Sequence, residues 1–379
     1  LPQPARKPGV MPVRSAGQHG SAPPETGLGL AHRHNGPIFA EVHQAGGNMA
    51  KASVKASAKA SPKNGEKAVT SGPAKFRLVT RSDFDGLVCG ILLRELDMIS
   101  DVKFVHPKDV QDGKVELSRQ DITTNLPYDP RVHLAFDHHA SELKRVGQAA
   151  NYVTDPASPS AARVVYRHFG GADRFQNVSD EMMQAVDQAD SAQYELSDIT
   201  RPTGWTLLNF IMDPRTGLGR FKEFRVSNYQ LMMDLMSYCR DKSIHEILKH
   251  PDVKERVDLY FDHEPHFNDQ IVRCGRANKN LVVLDLRREE TIYAGNRFMI
   301  YALNPKCNIS MHVMWGKEKQ NTVFAVGKSI LKRDSRTHVG ELMLKYGGGG
   351  HAAAGTCQVA NEEAERVKQE LVAVITADG

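Results

Sequence analysis

The sequence predicts an α/β protein: a doubly wound, mostly parallel sheet, then a helical connector, then a smaller α/β unit. Three observations carry this. Short apolar runs alternate with helical stripes over residues 76–199, the pattern of parallel strands joined by crossovers. Strand alternation stops over residues 200–279 and resumes from Asn280. Residues 1–75 are rich in Pro, Gly, Ala, Ser and Lys and lack bulky apolar clusters, so they cannot offset their ordering entropy by burial.

The elements follow in order. Phe76-Arg77-Leu78-Val79-Thr80 reads as a strand and Ser82 to Gly86 as a turn. Leu87, Ile91, Leu92, Leu93 and Leu96 then form a helical stripe with Gly90 at a close-packing position. Val102–Val105, Ile122–Thr124 and Val132–Phe136 read as further strands, and Ser160–Tyr166 and Glu181–Asp190 as helices. In the connector, Leu231, Met232, Leu235, Met236, Ile244, Ile247 and Leu248 have helical spacing, which predicts three to four helices. Their methionines read as packing. In the second unit, Leu281–Leu284, Ile309–Met314 and Thr322–Val326 are expected strands. A helix over Val339–Tyr346, a glycine run, a strand at Cys357–Val359 and a closing helix over Glu362–Ile375 complete it.

Composition narrows the function. Apolar residues make up 40% and charged residues 25% of the 379-residue chain, as in globular proteins, and no run approaches a membrane span. The five scattered cysteines lack any C-x-x-C and read as reduced thiols of a cytoplasmic protein. The formal charge of +4 is uneven: residues 1–75 hold ten Lys/Arg against three Glu, leaving 39 basic and 42 acidic side chains in the remainder. That excludes a broad nucleic-acid-coating surface but allows a local basic pocket. Met49 opens a composition different from what precedes it, and residues 1–48 are expected to reflect an upstream start assignment or an added leader. Lys51, Lys55, Lys59, Lys63 and Lys67 recur every four residues, but Pro62 and Gly65 interrupt the pattern and a solvated tail is expected.

The chemistry concentrates at strand ends. Asp137-His138-His139 follows an apolar run, placing a carboxylate and two imidazoles at the carboxyl edge of the sheet, where open α/β folds bind ligands. Carboxylate and imidazole together suit Mn²⁺, Mg²⁺ or Zn²⁺; the competing reading is a polar surface turn. Asp83-Phe84-Asp85-Gly86 ends the first strand with two carboxylates that repel unless a cation or shared proton relieves them. Asp187 and Asp190 stand three apart on a helix, where a solvated helix end competes with a ligand role. Gly347–Gly350 and His351 can present open backbone amides and a cationic donor to anionic oxygens, with Lys332, Arg333 and Arg336 as a phosphate-binding wall.

D-x-D-G, D-H-H, a later aspartate and G-G-G-G-H in a second domain, in that order, closely resemble the DHH phosphoesterase superfamily with its DHHA1 substrate-binding domain. The resemblance spans roughly residues 76–375, most like members described as exopolyphosphatase-like. It implies a disordered tail (1–75), a DHH catalytic domain (76–199), a connector (200–279) and a DHHA1 domain (280–376). It also implies Mn²⁺ or Mg²⁺ bound by Asp83, Asp85, Asn125, Asp137, His138 and Asp190, with Asp187 as the alternative to Asp190. His138, His139 and Arg81 would be catalytic, and Arg333, Arg336, Gly348, Gly349, Gly350 and His351 would bind substrate. The implied reaction is hydrolysis of a terminal phosphoanhydride or phosphoester by metal-activated water, the implied partner a polyphosphate, nucleotide or short oligonucleotide, with no membrane and a homodimer left open. The rival readings are a short-oligonucleotide exonuclease or nucleotide phosphatase, and a non-catalytic phosphate-ligand sensor.

Two departures from the family pattern stand out. Arg81 occupies the position of a common histidine, and Asn125 that of an aspartate; Asp121 lies at the other end of its strand. An uncharged amide and a guanidinium both weaken one metal position, so a single strong metal is expected.

Overall fold

A computed structural model describes residues 75–379 of the chain. The leader, the lysine repeat and the solvated tail expected before residue 75 lie outside the described residues.

Among the described residues, eleven strands form two sheets. The first is parallel throughout: β1 (Phe76–Thr80), β2 (Ile99–Phe104), β3 (Asp121–Thr124), β4 (Leu134–Asp137) and β5 (Tyr152–Thr154), in the order β2-β1-β3-β4-β5. Between β1 and β3 the winding reverses, the switch point at which such sheets open a crevice. Register then aligns the chemistry. Thr80 pairs with Thr124 and Thr124 with Phe136, so the chain leaves three adjacent strands at one edge carrying Arg81, Asn125 and Asp137.

Side-chain alternation splits the apolar residues of each sheet between its faces. In the first sheet Leu78, Ile122 and Phe136 enter the main core, while Val79 and Ala135 join a smaller cluster on the other face. Helices Phe84–Glu95 and Ala161–His168 cover the main face. The connector carries helices Gly204–Met212, Asn228–Asp241, Ile244–Lys249 and Pro251–Cys274.

The second sheet is mixed. It comprises β6 (Gly275–Asn278), β7 (Leu281–Asp285), β8 (Ile309–Trp315), β9 (Thr322–Lys328), β10 (Gly349–Gly350) and β11 (Ala354–Val359), in the order β10-β11-β9-β8-β7-β6. Only β7 and β8 pair in parallel. Val282 and Leu284 on one face enter the same core as Leu78 and Phe136, through connector residues such as Leu235 and Tyr260. Leu281 and Val283 face the opposite cluster, closed by helices Val339–Leu344 and Ala364–Asp378. One continuous core therefore backs both sheets. Helix Pro251–Cys274 runs on into β6, which lies before Asn280, the residue from which the sequence pattern starts the second unit. Apolar alternation is lost there because Arg276 and Ala277 on this edge strand are exposed.

Candidate metal and phosphate site

Asp85, in the first turn of helix Phe84–Glu95, is buried and accepts hydrogen bonds from the backbone N–H groups of Ala161 (3.1 Å) and Ala162 (2.7 Å). Those amides open the helix capped by Ser160, and they fix the carboxylate while using the unpaired donors of a helix N-terminus. Gly86 permits the turn: a Cβ there would lie 2.1 Å from the Arg81 carbonyl oxygen. Asp83 itself accepts from Gly86 N–H at 3.0 Å, capping the helix, and pairs with Arg81 Nε at 3.0 Å.

One ligand atom each from Asp85, His138 and Asp190 lie within 4.8 Å of one another. His138 donates from Nδ1 to the Ser158 carbonyl at 3.2 Å, which leaves Nε2 as the lone-pair nitrogen. Nε2 is 2.9 Å from Asp190 Oδ2 but is not aligned with it as a hydrogen bond, so this buried atom has no hydrogen-bond partner. A buried imidazole nitrogen converging with two carboxylates is a donor set that fits a divalent cation. The charges agree. Burial, then Asp190 and Asp83, push Asp85 well above the usual carboxylate range. Burial lowers the His138 pKa, but Asp190 and Asp85 outweigh it and raise it to about 9. Without a cation, a proton takes the cation's place.

Asp187 is engaged elsewhere, accepting from Ser160 Oγ at 2.7 Å and from Arg163 Nη2 at 2.6 Å. Asp137 is buried and turned toward its neighbours: His139 Nδ1 donates to it at 2.7 Å and the Tyr152 hydroxyl at 3.1 Å. It orients His139, whose ring packs edge-on against His138 at 4.6 Å. Asn125, buried, sits at φ +54°, a left-handed conformation that asparagine tolerates. Neither its Nδ2 nor its Oδ1 has a hydrogen-bond partner.

Arg81, Asp83, Asp85, His138, His139 and Asp190 line one cavity of about 400 Å³. His351 from the second sheet lines it too, and loss of solvent around its ring, with His139 and Arg81 nearby, lowers its pKa. The cavity therefore spans from the carboxyl edge of the parallel sheet to the β10–β11 turn.

No family model and no curated protein matches the chain. Among solved structures it is similar to a pGpG-specific phosphodiesterase, PggH, from Vibrio cholerae, with 59% identity and a TM-score of 0.72 over 80% of this chain and 100% of that one. The chain belongs to the DHH phosphoesterase superfamily. The chain is a phosphoric ester hydrolase. More distant likenesses are to CDC45 from Entamoeba histolytica (9% identity, 80% of this chain and 95% of that, TM-score 0.44) and to RecJ in complex with Mn²⁺ from Thermus thermophilus (13%, 80% and 52%, 0.41). Neither of these two adds weight to the assignment.

The glycine run of this DHH protein differs from the open amide row expected from its sequence. The N–H groups of Gly347, Gly348 and His351 donate to Leu344, Met343 and Ala354 carbonyls, and Gly349 and Gly350 pair with Thr356 and Gly355. The glycines are needed for close packing: a Cβ on Gly348 would lie 2.0 Å from the Thr356 oxygen, and one on Gly340 would lie 2.6 Å from that of Gly350. The run is a tight hairpin that carries His351. Arg333 donates to the Ala192 carbonyl at 2.6 Å, tying its loop to the segment after Asp190. Arg336 donates to the Asp378 carbonyl at 2.6 Å, at the C-terminus, and does not line the cavity.

Sequence reading missed a further wall of the DHH site, made of Asp213, Arg215 and Arg297. The Asp-x-Arg spacing could have flagged it, yet Asp129/Arg131 and Asp285/Arg287 repeat the same spacing and bonding outside the cavity. The spacing alone does not separate them.

Proposed function

We propose that this DHH protein is a metal-dependent phosphodiesterase of short linear dinucleotides, with pGpG the first substrate to test. What supports this reading is the make-up of the cavity of about 400 Å³, with Asp85, His138 and Asp190 on one side and His351 with arginines around it. That volume is in the range of small-molecule sites. Full coverage of PggH, a pGpG-specific phosphodiesterase, points the same way.

Asp85, His138 and Asp190 would hold one divalent ion, Mn²⁺ or Mg²⁺, which when bound supplies Lewis-acid polarisation of the phosphate and a nucleophile at neutral pH. The remaining roles belong to the chain. His139, its Nδ1 proton fixed by Asp137, presents Nε2 to the phosphate and moves a proton to the leaving oxygen. Arg81, beside Asp83, contacts a phosphate oxygen with a planar guanidinium. His351, kept neutral by its surroundings, takes up a proton as phosphate binds and holds that end of the substrate.

The three guanidiniums of Arg81, Arg215 and Arg297 in one cavity favour a second reading, removal of terminal phosphate from polyphosphate. Turnover of pGpG, pApA, pyrophosphate and polyphosphate, each with Mn²⁺ or Mg²⁺, separates the two. The dinucleotides are expected to be hydrolysed fastest; faster turnover of polyphosphate would overturn the first reading.

A further inference from the structure

The wall formed by Asp213, Arg215 and Arg297 is one carboxylate shared by two guanidiniums. Asp213 ends helix Gly204–Met212, and Asp213-Pro214-Arg215 enter a short 3₁₀ turn. The Asp213 carboxylate accepts from the Arg215 backbone N–H at 2.9 Å, from Arg215 Nε at 2.8 Å and from Arg297 Nη1, and Arg215 Nη2 forms an ion pair with it at 2.7 Å. Arg297 lies over the Phe298 ring at 4.3 Å. Each guanidinium has five donors in a planar fork, so both retain N–H groups beyond those given to Asp213. One carboxylate shared by two guanidiniums leaves this wall with a net positive charge.

The two segments are locked together. Gly295 N–H donates to the Thr216 carbonyl at 3.0 Å, and Thr216 Oγ1 to that of Phe210 at 2.6 Å. Asn296 Nδ2 reaches the Ile199 carbonyl at 3.3 Å. A Cβ on Gly295 would fall 2.2 Å from the Phe267 ring, so the loop can seat in this position only with glycine there. Arg215 and Arg297 line the same cavity as Asp83, Asp85, His138 and Asp190, so this positive wall and the metal-ligand trio face one space.

We propose that Arg215 and Arg297, held on Asp213, bind the terminal 5′-phosphate of a linear dinucleotide while the phosphodiester lies at Asp85, His138 and Asp190, and that they make the enzyme favour 5′-phosphorylated dinucleotides. This rests on the dinucleotide reading above. A terminal phosphate offers three oxygens and up to two charges, which two forks can share; a diester offers two free oxygens and one charge, already met by the metal and Arg81.

The test compares pGpG with GpG, which lacks the 5′-phosphate, using the full chain with Mn²⁺. The ratio of kcat/KM for pGpG over GpG should fall about tenfold or more in Arg297→Gln and in Arg215→Gln, the size of one charge-assisted hydrogen bond, mainly through KM. Arg297→Lys should recover part of it. An unchanged ratio, or equal losses on both substrates, would overturn the proposal, the latter by placing the arginines on the scissile phosphate. Calorimetric titration with 5′-GMP and with guanosine gives a readout without turnover: wild type should favour GMP, and Arg297→Gln should lose that preference. If wild type hydrolyses no dinucleotide, the functional reading fails, and the GMP preference still decides the phosphate subsite. Thermal melting identifies any variant that does not fold, in which case Arg297→Lys and Arg215→Gln carry the comparison.

Discussion

Asp85 and Asp213 line the same cavity, one buried and the other with its side chain only 11% exposed, yet their acidities move in opposite directions. Burial raises Asp85, and the carboxylates of Asp190 and Asp83 raise it further. Burial would raise Asp213 too, but Arg215 and Arg297 outweigh it and hold it well below the usual carboxylate range. The neighbours' charge, not depth, decides what a buried carboxylate does. Asp85 meets two carboxylates and one imidazole, which is the electrostatic signature of a metal ligand. Asp213 meets two guanidiniums, and its work is to hold them.

The comparison can be broken in order of expected effect. His138→Ala removes the lone-pair nitrogen of the trio and should cut metal-dependent hydrolysis by more than roughly 100-fold, beyond what losing a supporting group costs, while circular dichroism stays unchanged. Retained turnover would place the metal elsewhere. Metal affinity should rise about tenfold per pH unit from pH 7 until it levels near the His138 pKa of about 9, because the ion must displace that proton. The sign follows from a raised pKa: the His138–Asp190 charge pair stabilises the metal-free fold below the ordinary histidine value and is lost as pH rises through about 9. Calorimetry in buffers of different ionisation enthalpy counts the released proton, and a count of zero would sink the idea.

Arg81→His should add a ligand beside Asp83 and raise bound Mn²⁺ from about one ion per chain toward about two, read by elemental analysis of desalted protein. Unchanged stoichiometry would show that Arg81 does not stand at a metal position. The smallest effects are thermal. In metal-free protein at pH 7, Asp85→Asn should raise the melting temperature by roughly 2 °C and Asp213→Asn should lower it by at least as much. With a raised pKa, Asp85 favours the fold when protonated and its cost grows as pH climbs above about 4. With a depressed pKa, Asp213 favours the fold above about pH 4 and that contribution disappears on acidification. Shifts of the same sign in both variants would contradict the opposition between them.

The parallel sheet was legible because β1 and β4 are short runs whose apolar residues are mostly buried, bounded by turn residues; β2 showed through buried Ile99 and Val102 among exposed neighbours, and β3 through Ile122 among buried polar residues. β5 was not legible: Tyr152-Val153-Thr154 is three residues long and too short to show a period. Motif order was enough to assemble Asp85, His138 and Asp190. It could not tell that Asp83 would cap a helix and Asp137 would orient a histidine, since that depends on where each carboxylate turns after the strand ends. It also could not tell that four glycines would close into a hairpin, because open and hairpin-paired amides have the same sequence. Arg215 and Arg297 are 82 residues apart and meet only through Asp213, so no local window contains their site.

The continuous core has a consequence for substrate size. Leu78 and Phe136 behind the parallel sheet and Phe298, which lines the cavity beside Arg297, belong to one apolar mass. Prising the walls apart to admit a long strand would tear that mass open and wet it, a cost spread over every buried side chain between the sheets. On the dinucleotide reading proposed above, the site would act as a gauge of fixed width: a molecule short enough to enter whole would be accepted, and a longer chain would be excluded by the interior of the protein, not by any residue that touches it.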